Sequence, residues 1–228
     1  MTRNTNARVA GFMFLFYIAT AFPDMLISQR AMTGAGVAEK LASIAQHAPL
    51  MRISIVLEML TFVDAVVLAV ALYGLTRDED NELAVLALAC RLTEGMINAI
   101  ATLVPVGLLW LATQAGSATA LDASAVNALA AFLIKAGGWL PNVGATCFAV
   151  GSTIFAYLFL RARSIPLWLA WVGVLGSALI VLGLPLQLIG VLRSPMTGLM
   201  WIPIAIFEVV LGFWLLIKGV ATPVARRA

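Results

Sequence analysis

The chain has 228 residues, 62% of them apolar and 11% charged, with a net charge of +3. That charged share is about half the average for a soluble domain, and the mean hydropathy is +1.02 with a pI near 9.2. This balance excludes an ordinary water-soluble globule. The basic surplus does not point to nucleic acid either, because most arginines stand at the ends of apolar blocks and not along one polar face.

A transmembrane helix needs about 20 apolar residues to cross a hydrocarbon core about 30 Å thick. Six blocks reach that length, at about residues 8–27, 52–75, 83–113, 139–160, 166–191 and 199–218. The expectation is therefore an all-α polytopic membrane protein, one integral domain over residues 1–228, with the lipid bilayer as its first partner. Cys90 and Cys147 each fall inside an apolar block and belong to no CxxC or Cys/His cluster. They read as small buried hydrophobes, with no metal site and no disulfide framework.

In chain order, the first block has a basic start and an Ala19-Thr20-Ala21 triplet that mimic a secretory signal with its cleavage site. It is read as a retained span, bent near Pro23 and Asp24. GVAEKLASIAQHAPLMR, residues 36–52, has apolar positions at helical spacing, which predicts an amphipathic surface helix before span 2. His47 lies there alone and reads as a solvated side chain. The turn RDEDNE, residues 77–82, is short enough to make spans 2 and 3 antiparallel neighbours, and its acidic run reads as a solvated loop.

After span 3, a small polar loop leads into ASAVNALAAFLIKAGG, residues 123–138. This predicts a second amphipathic surface helix, separated from span 4 by Gly137, Gly138 and Pro141, with Lys135 just before the break. Glycines recur every seven residues at 137, 144 and 151 and again at 176, 183 and 190. Small residues on one face let helix backbones approach closely in lipid.

With six spans, Arg3, Arg8, Arg77, Arg161, Arg163, Lys218, Arg226 and Arg227 fall on one side, and Arg30, Lys40, Arg52, Lys135 and Arg193 on the other. Positive charge concentrates on the cytoplasmic side, so both termini are expected in the cytoplasm of a plasma (inner) membrane protein. The aromatic residues agree: Trp110, Trp139 and Trp201 come at outer ends, and Tyr73, Tyr157, Trp168 and Trp214 near inner ends.

Charges inside the spans are the main functional signal. Counting at about 1.5 Å per residue, Asp64 is 13 residues from Arg77, Glu94 is 12 and Arg91 is 9 from Glu82, and Glu208 is 10 from Lys218. All four fall at one level, in a band roughly 6 Å thick. Ionisable groups in hydrocarbon are costly and tend to face a bundle interior, a partner or a pathway. Arg91 is the expected hub, since a guanidinium stays charged and can hold carboxylates at two points.

Arg91, Glu94, Asn98 and Thr102 line one face of span 3. One arginine against three carboxylates leaves a fully ionised cluster at −2, so a proton or a cation is expected to balance it. Glu58, with Asn142, Gln187 and Lys135, suggests a second polar layer nearer the outside.

At these residues the chain resembles a bacterial six-helix membrane family known only as a domain of unknown function, number forty-three eighty-six. The resemblance rests on RVAG at Arg8 to Gly11, PLMR at Pro49 to Arg52, CRLTEG at Cys90 to Gly95, FE at Phe207 and Glu208, and LIKG at Leu216 to Gly219. Where relatives carry a histidine near the start of span 4, this chain reads Ile134-Lys135-Ala136. The resemblance implies a membrane protein and supplies no activity.

Three functional classes stay open. The first is a small-molecule binding or proton-linked transport protein using Asp64, Arg91, Glu94, Asn98, Glu208 and Glu58. The second is an intramembrane enzyme acting on a lipid-like substrate by carboxylate acid–base chemistry, although HExxH, Gly-x-Ser-x-Gly and in-span histidine are lacking and no catalytic residue is assigned. The third is a structural or partner-binding subunit in which the charges fix helix register. No metal or cofactor is called for, and a homo-oligomer is compatible with the sequence.

Overall fold

The computed structural model describes residues 2–114, 122–192 and 196–221. Among them there are only helices and connecting turns: α1 (Arg3–Ala31), α2 (Val37–Gln46), α3 (Ala48–Thr76), α4 (Asn81–Ala101), α5 (Leu103–Gln114), α6 (Ala123–Ala162), α7 (Leu167–Leu188), α8 (Met196–Leu199) and α9 (Ile202–Ile217). Six helical stretches are long and apolar enough to cross a membrane, counting α4 with α5 and α8 with α9 as one stretch each. Large apolar side chains such as Phe22, Val56, Leu182 and Ile217 stand more than half exposed. In water such a surface would aggregate; against lipid tails it is the stable arrangement, with backbone polar groups satisfied inside the helices. The protein is a multi-pass, all-helical membrane protein.

The helices run past the apolar blocks at several ends. α1 begins at Arg3 and α3 at Ala48. Span 3 is divided at Thr102, which forms the turn between α4 and α5. The surface helix expected before span 2 is α2, where Leu41 and Ile44 turn inward and the carboxylate of Glu39 accepts the N–H of Ala35 at 2.7 Å, closing the helix start.

The second surface helix is not a separate element. Residues 123–138 are the first part of α6, a continuous helix of 40 residues to which Pro141 is internal. Pro141 removes one backbone hydrogen bond, and breaking the helix there would strand several more in a medium without water.

The chain divides into two compact units. The first comprises Met1–Tyr17, Asp64–Gly95 and Gly144–Ala228, and the second Ile18–Val63 and Met96–Val143. α1, α3, α4 and α6 each supply residues to both. The core of the first unit gathers Phe14, Leu72, Phe155, Phe159, Leu169 and Leu211. Within it α7 lies against α9, and the glycines of α7 make this possible: a Cβ at Gly173 would sit 2.5 Å from the Phe207 ring, and one at Gly176 would sit 3.0 Å from the backbone N of Ile204.

Gly11 stands in the same relation to α9, since its Cβ would meet the backbone N of Leu216 at 2.5 Å. The RVAG and LIKG stretches, at opposite ends of the chain, therefore meet in space. The core of the second unit is built on Ile44, Met51, Leu108 and Leu111, with α2 packed on α5.

Candidate functional site

The first unit brings Asp64 of α3, Arg91 and Glu94 of α4, and Glu208 of α9 into one neighbourhood. Arg91, Glu94 and Asp64 are only 2%, 3% and 2% exposed, and Glu208 is half-buried. Arg91 and Glu94 are one turn apart on α4, and their Nη1 and Oε2 atoms are 2.8 Å apart. Neither atom has a partner that meets hydrogen-bond geometry. The contact is therefore a close ion pair whose N–H does not aim at the oxygen, weaker than an aligned two-point bond.

Arg91 is held from other sides as well. Its guanidinium carbon lies 4.7 Å from the centre of the Phe148 ring on α6, within range of cation–π attraction. Gly151, one turn further along α6, makes room for its stem: a Cβ there would come within 3.0 Å of Arg91 Cγ and 3.1 Å of the Ala87 carbonyl. Here the seven-residue glycine spacing does more than pack helices, because Gly151 faces the charged residue itself.

Asp64 and Glu208 both lie within electrostatic range of Arg91. Both carboxylate oxygens of Asp64 are buried and without a hydrogen-bond partner. Glu208 and Arg91 border a cavity of about 10 Å³, walled otherwise by Ser152 and apolar side chains including Phe14, Phe155 and Phe207. A volume of about 10–15 Å³ on this scale holds a single water.

Tyr17 of α1 completes the group, with its phenol in electrostatic range of all four charged residues. Neither Tyr17 nor Phe148 was singled out from the sequence. Tyr17 was findable, as a tyrosine 14 residues into α1, away from either helix end. Phe148 carried no such signal.

Asn98 and Glu58 both fall in the second unit. Asn98 is half-buried, and its backbone carbonyl accepts the Thr102 hydroxyl at 3.1 Å. Glu58 borders a different cavity, of about 300 Å³. Of the other residues expected beside it, Asn142 lies in the same unit and donates its side-chain amide to the Gly138 carbonyl at 3.0 Å, Lys135 is exposed, and Gln187 lies in the first unit. Among the described residues, no group of three or more His, Cys, Asp or Glu side chains is arranged to hold a metal ion.

Residues 9–219 match the family model described as Domain of unknown function (DUF4386). No curated protein and no solved structure matches the chain. The match covers nearly the whole sequence and, apart from Arg8, every stretch on which the resemblance rests, so the chain belongs to that family.

Proposed function

We propose that this six-span family member is a proton-linked carrier of a small solute in the plasma membrane, with both termini in the cytoplasm. Asp64 is the group that gains and loses the proton, and Arg91 is the fixed counter-charge. The observation that carries this reading is Asp64 itself: both oxygens are buried and unpartnered, while the one nearby guanidinium pairs closely with Glu94. An ionised carboxylate left so costs several kcal/mol, a cost that a proton removes. A conformational step that changes the hydration of Asp64 would then load or release that proton.

The small cavity beside Arg91 supports the same reading. Its volume of about 10 Å³ suits one water, through which a proton can pass. The register-lock reading has its own support in the packing of Arg91 over Phe148 and against Gly151.

The two readings separate in one experiment. The protein is reconstituted into vesicles with a pH-sensitive dye inside, and small amines, acids and sugars are offered outside. Wild type is expected to move protons with at least one solute class, and Asp64→Asn, nearly isosteric, to abolish that movement while remaining folded. Proton movement that is equal in wild type and Asp64→Asn for every solute would refute the assignment and favour a purely structural cluster.

A further inference from the structure

We infer that the second unit contains a binding cavity for a small primary ammonium compound, seated on Glu58. This stands apart from proton carriage at Asp64 and does not depend on it. The cavity measures about 300 Å³. That is room for about ten waters at about 30 Å³ each, and it reaches the lower end of the range for small-ligand sites.

Its wall presents acceptors. Glu58 borders it; its carboxylate takes one hydrogen bond from the Thr102 side chain, and its buried Oε2 has no partner. The Asp24 carboxylate, which receives the Ser54 hydroxyl, lies within electrostatic range of Glu58 and adds to the negative field.

Two prolines extend the set. A proline has no N–H, so the carbonyl four residues before it loses its helical donor. Pro105 does this to Ala101 and Pro141 does it to Gly137, and all four residues border this cavity. Two separate helices thus each lose one i+4 backbone donor at residues that border this cavity, and the inference takes the carbonyls of Ala101 and Gly137 as its acceptors. Broken or unwound helix segments with free carbonyls are a recurrent way of holding cations within membranes.

The remaining wall decides between kinds of cation. Among the described residues no basic side chain lines the cavity, and Met32, Val104, Leu108 and Ile134 make much of it apolar. A bare calcium or magnesium ion needs six or more oxygens in a tight shell, which one carboxylate and two carbonyls on a wide apolar wall do not supply. A quaternary ammonium has no N–H for the carbonyls, and among the described residues the wall carries no aromatic ring to bind it by cation–π attraction. A primary ammonium has three N–H donors, one for Glu58 and two for the carbonyls, and a hydrocarbon body that suits the apolar side. An anion would face the field of Glu58 and Asp24.

The test uses the full chain in lipid nanodiscs and measures calorimetric binding of three probes: butylammonium, tetramethylammonium and the neutral isostere 1-butanol. Butylammonium is expected to bind saturably, and the other two at least about tenfold more weakly, as the loss of hydrogen bonds to a charged group implies. Glu58→Gln should weaken butylammonium by about tenfold or more on the same ground.

Gly138→Leu provides a second variant that keeps Glu58. Gly138 borders the cavity and a Cβ there has nothing within 4 Å, so the larger side chain should fill the space and block binding without disturbing the fold. Thermal unfolding of both variants in the same nanodiscs verifies that they are folded. Butanol binding as tightly as butylammonium, unchanged affinity in Glu58→Gln or in Gly138→Leu, or no saturable butylammonium binding would each overturn the inference.

Discussion

Replacing Arg91 by alanine removes the one cation from a group of three carboxylates. Arg91 is 2% exposed and pairs with Glu94 at 2.8 Å, so the variant leaves Glu94 buried without its counter-charge and also deprives Asp64 and Glu208 of theirs. Breaking one side of a buried pair costs about 3–5 kcal/mol, a range that here takes in the Phe148 contact. For a chain of 150–250 residues each kcal/mol lowers the melting temperature by about 2–4 °C, which gives a fall of about 6–20 °C. Six tryptophans supply the signal for intrinsic-fluorescence melting of the detergent-solubilised protein. Arg91→Met combined with Glu94→Gln removes both partners, so part of the loss should return, leaving the share due to Asp64 and Glu208. A melting temperature within about 2 °C of wild type for Arg91→Ala, less than the effect of a single kcal/mol, would refute the reasoning. So would a double variant less stable than the single one.

Arg161 gives the contrasting case. It bridges Glu79 at 2.9 Å and Asp80 at 3.0 Å but is 31% exposed, so Arg161→Ala should lower the melting temperature far less than Arg91→Ala, and high salt should shrink even that effect. A loss as large as that at Arg91 would contradict the difference in burial. Two glycine variants test the helix packing in the same melting assay. Gly173→Ala would press on the Phe207 ring from 2.5 Å; overpacking of about 1–3 kcal/mol outweighs the helix gain of up to about 1 kcal/mol, so the melting temperature should fall. Gly138→Ala meets nothing within 4 Å and should be neutral or raise stability by up to about 1 kcal/mol.

The spans were legible because lipid imposes a length and a composition that few other structures share. The common level of Asp64, Arg91, Glu94 and Glu208 was legible for a related reason: helical rise converts residue counts into depth. Rotation is harder to read. Which face of α6 meets α4 depends on packing between two whole helices, so Phe148 and Gly151 could be recognised as neighbours of Arg91 only in three dimensions.

The prolines carry this furthest. A proline in a soluble helix is fairly read as a terminus, and on that logic Gly137, Gly138 and Pro141 divide a surface helix from a span. In a bilayer the balance shifts, because each backbone group freed by a break lacks water to replace its partner. The chain therefore keeps α6 continuous through Pro141 and leaves the Gly137 carbonyl without its helical donor. Pro105 does the same beyond the turn at Thr102, leaving Ala101. Neither carbonyl is informative alone. Their placement on one cavity with Glu58 makes them so, because a carboxylate and two residues whose carbonyls lack the helical donor meet at a wall with no basic side chain among the described residues.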